Sequence, residues 1–341
     1  MKKGLSATLT GAFLLLALLM LGSFNLSKPR ILVLHSADIN SSTVKKMDEG
    51  IRHVLDKNRQ PLSVRWHYLG INSLPDEGHR TDAALQGQRA VEQFDPDLIL
   101  AVDDEAQHYV ASRYAGKNRP KVVFAAIDHA PSEYGYVGAA NVTGSTEVLP
   151  LAAIRDALLL AHEGKPVRLV ALGGAGPTTN GQIKQVKSFD WAPHTVLWVQ
   201  SLTDFAAWKT AINGMNNQAD ALLVLNYEGL RSSPNAADSV PPATVVQWIE
   251  ANAGPLPIGI SSSYVEDGGG LSIAPSARAM GEVAATTTLE WLKAKPGSPA
   301  PPFALATHYS VALRATALQV RHVNLPSIYV EAARLDRLYY P

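Results

Sequence analysis

The sequence contains no cysteine in 341 residues. That absence excludes disulfides, thiolate zinc sites, iron–sulfur clusters, cysteine nucleophiles and a thioether-linked lipid near the N-terminus. It also lacks a net charge, with 30 Lys+Arg against 30 Asp+Glu. Nucleic-acid binding calls for a basic excess or patch, so no nucleic-acid partner is expected. Charged residues make up only 18% of the chain and hydrophobic ones 46%. A chain of that composition collapses around a core rather than staying disordered, and its length suits two domains.

One segment departs from this soluble character. Lys2 and Lys3 precede the apolar run Gly11–Gly22 (GAFLLLALLMLG), and Pro29 follows. A positive start, a short apolar stretch and a small-residue region form the layout of a secretory signal. A cut after Ser23 leaves Leu21 where a small residue is preferred. Extended from Leu9 to Leu26, the run nears the length of a membrane span. Residues 1–27 therefore read as a signal peptide or an N-terminal membrane anchor. The rest is expected outside the cytoplasm, in the periplasm, either free or tethered, with membrane contact only through this segment.

From Pro29 onward, strand and helix patterns alternate. Arg30–Leu34 (RILVL), Val64–Tyr68, Asp97–Val102 (DLILAV) and Lys121–Ile127 (KVVFAAI) read as strands, separated by helices at Thr43–Asp56, Thr81–Gln93 and Glu105–Tyr114. A second series places strands at Val167–Leu172, Thr195–Val199, Ala221–Leu225 and Pro257–Ile260. Its helices are Pro150–Ala161, Thr179–Ser188, Asp204–Asn213 and Thr244–Ala251, and a long helix over Pro275–Ala294 comes after Gly268–Gly270. The Pro-rich Pro296–Pro302, a last strand near Leu305–Leu313 and a helical tail close the chain. Continuous Val/Ile/Leu runs mark strands covered on both faces, as in parallel sheets. The fold class is α/β, with two doubly wound parallel-sheet lobes joined by a multi-strand hinge. Crossings are expected near Asn141–Ser145, Tyr264–Gly270 and Pro296–Pro302. They divide the chain into an N-terminal lobe of 28–142 plus 265–300 and a C-terminal lobe of 143–264 plus 301–341.

Ligands of open parallel sheets bind beyond the carboxyl ends of the strands. That rule selects His35–Asp38, Asp103–Glu105 and Asp128–His129 in the first lobe. In the second it selects Gly173–Thr178, Gln200–Ser201, Asn226–Glu228 and Ser261–Tyr264. The candidate ligand-binding residues are Ser36, Asp38, Asp103, Asp104, Asp128, His129, Thr143, Gly174, Thr178, Asn226, Tyr227, Ser261 and Tyr264. Plainer roles compete for several of them. Asp103, Asp104 and Glu105 also suit the positive start of a helix, and His35, Asp103, Asp128 and His129 lack metal-ligand spacing. GGAGPTTNG has neither the GxGxxG nor the P-loop pattern, and Ser261–Ser263 is not in a GxSxG turn. No metal, cofactor or catalytic residue is expected. An enzyme using the Asp103/Asp104 and Asp128/His129 loops is the alternative of a different class.

In order along the chain, several segments resemble the substrate-binding components of ABC transporters typified by tryptophan- and tyrosine-binding proteins. They are DLILAVDDEAQHYV (Asp97–Val110), VVFAAIDHAP (Val122–Pro131), the Asn141–Val142–Thr143–Gly144 step, GGGLSIAPSARAMGEVA (Gly268–Ala284) and Asn324–Leu325–Pro326. The resemblance implies the two-lobed type I periplasmic-binding-protein fold. It further implies capture of a small polar or amphipathic, amino-acid-like molecule by hinge closure, with an ABC importer permease as partner. A membrane-tethered sensor that presents its bound form to a signalling protein is the variant. Two departures bear on the ligand: Asp128–His129–Ala130–Pro131 replaces the family's Asp-Pro, and Gly173–Gly176 is richer in glycine than the equivalent loop.

Overall fold

The computed structural model describes residues 2–26, 28–71, 77–234, 236, 238–295 and 297–341, with side chains except at 2–10, 24–26, 77 and 177. Met1 and Ser27, at the ends of the expected targeting segment, and Pro296, at the start of the expected linker, lie outside the described residues. Helix α1 (Lys2–Leu26) comes first, and its large apolar side chains from Phe13 to Leu21 are exposed. Among the described residues no helix is long and apolar enough to cross a membrane.

The first βα series then runs β1 (Arg30–His35), α2 (Ser42–Leu55), β2 (Ser63–Tyr68), α3 (Glu77–Phe94), β3 (Leu98–Val102), α4 (Asp104–Tyr109), β4 (Lys121–Ile127) and β5 (Val142–Glu147). The second runs α5 (Leu151–Ala161), β6 (Arg168–Gly174), α6 (Pro177–Ser188), β7 (Thr195–Leu202), α7 (Phe205–Met215), β8 (Ala221–Val224), α8 (Pro242–Asn252), β9 (Leu256–Gly259), α9 (Ser263–Glu266) and β10 (Leu271–Pro275). Next are α10 (Ala277–Lys293), β11 (Ala304–Ala306), β12 (Tyr309–Arg314), α11 (Ala315–Val320), α12 (Ser327–Leu335) and β13 (Tyr339–Tyr340).

Two sheets result. The first has the order β11-β5-β4-β3-β1-β2 with every pair parallel. The second has the order β13-β12-β10-β9-β8-β6-β7, and only its β10–β12 pair is antiparallel. Each is packed on both faces, as the apolar runs require. Ile31, Val33, Leu98 and Leu100 turn toward α2 and α10, whereas Leu32, Leu34 and Ile99 join the opposite core with Phe94 and Tyr136. In the second sheet Leu169 and Leu223 take one face, and Val170 and Leu222 the other. Alternation along a strand puts neighbours on opposite faces, so an unbroken apolar run needs two cores.

The hinge differs from the sequence-based expectation at all three crossings. Asn141–Ser145 does not leave the first lobe: it enters β5, whose Val142–Thr146 pairs with Val122–Ile127 of β4. The chain crosses after Glu147. Tyr264–Gly270 lies wholly in the second lobe, with Tyr264 buried, and the crossing comes between β10 and α10 at Pro275–Ala277. Gly297–Pro302, the described part of the expected linker Pro296–Pro302, leads into β11, still in the first sheet, and the third crossing is Thr307–His308. The expected single strand near Leu305–Leu313 is thus two strands in two sheets. Sheet membership divides the chain into 28–147 with 277–306 and 148–275 with 309–341.

The Asn-Val-Thr-Gly step has a structural explanation. Asn141 donates from Nδ2 to the carbonyls of Tyr114 and Pro120 at 2.8 and 2.9 Å, and its Oδ1 accepts from Gly116 N at 2.7 Å. Thr143 Oγ1 donates to Pro301 O at 2.7 Å, fixing the approach to β11. Gly144 has φ +153°, and a Cβ there would lie 2.0 Å from Phe124 O, so only glycine permits this strand approach.

Candidate functional site

Both lobes present their strand ends to one cavity of about 170 Å³. The first lobe contributes His35 from β1, Asp103 after β3, Asp128 after β4 and Glu147 at the end of β5. The second contributes Thr178 and Gln182 from α6, Asn226–Glu228 after β8, and Ser261 and Ser262 after β9. Val44, Met47, Ile260 and Met280 supply apolar wall.

Carboxylates dominate the first-lobe side. Asp103 sits at φ +75°, a region that costs a non-glycine residue about 1–3 kcal/mol, and its Oδ1 accepts from Asp104 N at 2.8 Å. Burial, reinforced by Glu105 and Asp104, holds the Asp103 carboxyl well above the usual range. Asp128 is likewise pushed well up by burial and then by Glu147, Asp104 and Asp103. Its Oδ1 is enclosed by protein without a hydrogen-bond partner. Burial, with Asp104 adding to it, pushes Glu147 up to about 7. Across the cavity, Glu228 stands exposed at the rim. Removing charge from water and crowding like charges both favour the protonated acid.

Asp104 is buried, is not among the cavity's lining residues and ties this wall together. Its oxygens accept from Asp128 N at 3.0 Å, from His129 N at 3.3 Å and from the Tyr134 hydroxyl. His129 Nδ1 lies 3.4 Å from Asp104 Oδ1, and that hydrogen-bonding carboxylate raises the imidazole against the opposing effect of burial. On the second lobe, Asn226 is held from three sides. Its N–H donates to Gln182 Oε1 at 3.0 Å, its carbonyl accepts from Gly174 N at 2.6 Å, and its Oδ1 accepts from Glu228 N at 3.0 Å. Tyr227 Oη donates to Asp267 Oδ2 at 2.6 Å, with its ring edge-on to Tyr264 at 6.1 Å.

Of the sequence-derived candidates, Asp103, Asp128, Thr178, Asn226, Tyr227 and Ser261 meet in the cavity. The remaining seven are not among its lining residues. Ser36 is buried, donating to Val102 O and accepting from Ala106 N. Asp38 accepts from Asn40 in an exposed turn. Asp104, His129 and Gly174 brace the loops, Thr143 holds Pro301, and Tyr264 is buried with its hydroxyl on Glu250 Oε1 at 2.8 Å. Glu147 and Gln182 line the cavity from outside the selected loops, and His35 and Glu228 line it from within the selected loops His35–Asp38 and Asn226–Glu228 without having been named as contacts. His35 is buried, with Nε2 2.8 Å from Asp48 Oδ1 and its ring stacked on Tyr68 at 5.3 Å. Gln182 falls four residues after Thr178 on the same face of α6, a spacing that could have identified it. Among the described residues no group of three or more His, Cys, Asp or Glu is placed to hold a metal ion.

The lobes touch around this cavity. Thr43 Oγ1 and Ser263 Oγ are 3.3 Å apart, Lys46 Nζ donates to Ser262 Oγ at 3.1 Å and pairs with Glu266, and Lys184 pairs with Glu133 at 3.4 Å. A Cβ on Gly181 of α6 would lie 2.8 Å from Asp128 Cβ.

No family model matches the sequence, and no curated protein matches it. Solved structures do match. One from Streptococcus pneumoniae, described as an ABC domain in complex with L-Trp, has a TM-score of 0.66 at 17% identity, covering 90% of this chain and 98% of that one. A conserved domain protein from Vibrio cholerae has a TM-score of 0.66 at 14% identity, with the same coverages of 90% and 98%. A ligand-free, open substrate-binding protein with adhesive properties from Clostridium difficile has a TM-score of 0.63 at 14% identity, covering 88% and 96%. These likenesses establish the fold: two doubly wound α/β lobes of the type I periplasmic-binding-protein kind, as the sequence resemblance implied.

Proposed function

We propose that this protein is an extracytoplasmic solute-binding protein that captures a small molecule between its lobes and delivers it to an ABC importer. The observation that carries this reading is a cavity lined from both lobes at their strand ends, with the crossings after Glu147 and at Pro275–Ala277 in its wall. Solved structures of the same fold, from the L-Trp complex to a leucine-binding protein of Thermotoga maritima, are described as binders of small solutes. The apolar α1 serves export. Closure works as a population shift: contacts that form only when both lobes meet favour the closed state in proportion to their free energy.

A thermal-shift screen of the purified protein against amino acids, amines, sugars and nucleosides tests the reading. The expected result is a saturable rise in Tm with one class, a smaller radius of gyration in solution scattering, and recovery of the compound unchanged. Consumption of the compound would transfer the site to an enzyme.

A further inference from the structure

We infer that the captured solute is a small organic cation, bearing an amine or guanidine group and no carboxylate. The inference rests on the solute-binding reading and names the ligand's chemistry. The cavity presents four carboxyl groups, Asp103, Asp128, Glu147 and Glu228, and among the described residues neither Lys nor Arg lines it. Lys46 and Lys184, which bridge the lobes beside it, are committed to Glu266 and Glu133. A zwitterionic amino acid would have to bring its carboxylate among these acids, where the lining residues that could receive it are uncharged donors such as Ser41, Thr43, Thr178, Gln182, Asn226, Ser261 and Ser262, with His35 as the one basic side chain. Burying a carboxylate with no Lys or Arg to pair it is costly, whereas a cation can be paired by ionising an acid of the wall.

A cation has the opposite fit. Asp128 Oδ1 is enclosed yet has no hydrogen-bond partner within the protein, which leaves an acceptor for a ligand N–H. Val44, Met47 and Met280 can cover an alkyl or aryl body while the acids hold the charged end. The titratable and charged groups around these acids are of both signs. Asp104 and Glu105 stand behind Asp103, with Arg80 near Glu105, and His129 stands beside Asp104, with Lys184 near it. His35 with Asp48 lies on the β1 side, and Asp267 lies behind Glu228. Burial first, and then the neighbouring carboxylates, favours the protonated acids, so an entering cation that pairs with them releases protons.

Calorimetry on pairs that differ by one carboxylate tests the inference: tyramine against L-tyrosine, agmatine against L-arginine, and cadaverine against L-lysine. At least one amine is expected to bind ten-fold or more tightly than its amino acid, with a buffer-dependent heat that reports proton release. Asp128→Asn and Glu147→Gln are each expected to weaken that binding about 10- to 100-fold, the usual loss for a charge-assisted hydrogen bond. Both should raise the Tm of the ligand-free protein, which shows that the variants fold. An amino acid that binds as tightly as its amine would overturn the cation and leave solute binding in place, as would a response to Ca²⁺ or Zn²⁺ alone. Unchanged affinity in both variants overturns the site assignment. No saturable response to amines, amino acids, sugars or nucleosides overturns the solute-binding reading and the inference together.

Discussion

Asp104 shows how a residue outside the cavity governs the chemistry inside it. By accepting from Asp128 N, His129 N and Tyr134, its carboxylate fixes the loop that aims Asp128 at the cavity. The same negative charge helps raise Asp128 and Glu147. Replacing it with Asn presents an amide N–H₂ to donors that need an acceptor. Asp104→Asn is therefore expected to lose about 2–3 kcal/mol of stability in urea denaturation. Glu147 sets a pH dependence of definite sign. Its value rises from 4.5 in the unfolded chain to about 7 in the folded one, so the folded state holds its proton longer. Stability is then full below pH 4.5 and falls as pH rises toward 7, because the native state must ionise a buried acid. His129 acts in the same direction at higher pH, since its raised imidazole is charged and paired only while protonated. Melting temperatures from pH 4.5 to 8 should decline in wild type, and Glu147→Gln should flatten the part below pH 7. A curve that rises over that interval would refute the assignment.

At the scale of elements, α6 decides how closely the lobes approach. Gly181 packs its backbone on Asp128, and an added Cβ would lie 2.8 Å from Asp128 Cβ and 3.0 Å from its carbonyl. Alanine is the better helix former by about 1 kcal/mol, so Gly181→Ala should leave folding intact or slightly improved. Closure should suffer instead, with ligand affinity falling roughly ten-fold for each ~1.4 kcal/mol of strain in the closed form. Calorimetry and denaturation on the same sample separate the two effects. The strands that sequence alone reveals are those with buried, unbroken apolar runs, such as Leu98–Val102 and Ala221–Val224. β5 (VTGSTE) and β10 (LSIAP) escape it because they are short or polar and take their strand form from neighbours, and β11 (ALA) is merged with β12 into one expected strand. This accounts for the misplaced crossings. It also accounts for the omission of Glu147, which ends a strand that the sequence presents as a loop. Asp103, Asp128 and Asn226 were legible for the opposite reason: each follows a strand that its own residues declare.

At the scale of the whole molecule two lobes meet around the cavity, and the hinge closure proposed above can be tested with the one residue type the chain lacks. Thr43 on α2 and Ser263 on α9 place their hydroxyls 3.3 Å apart across the lobe boundary. A disulfide requires Cβ atoms roughly 3.8 Å apart, and hydroxyls in contact hold their Cβ atoms close enough for a small backbone shift to reach that spacing, which parted lobes cannot. With no native cysteine to compete, Thr43→Cys/Ser263→Cys should form a single cross-link on mild oxidation. Hinge closure predicts that the oxidised protein keeps a compact radius of gyration whether or not ligand is added. It also predicts that ligand enters and leaves the locked form more slowly by an order of magnitude or more, and that dithiothreitol restores both motion and exchange. Ligand should accelerate cross-linking of the reduced double variant, because binding raises the closed population that brings the thiols together. Equal cross-linking rates with and without a saturating ligand would mean that binding does not bias the lobes, and hinge closure would fall. The single variants Thr43→Cys and Ser263→Cys supply the control: neither can bridge the lobes, so neither should alter exchange under oxidation.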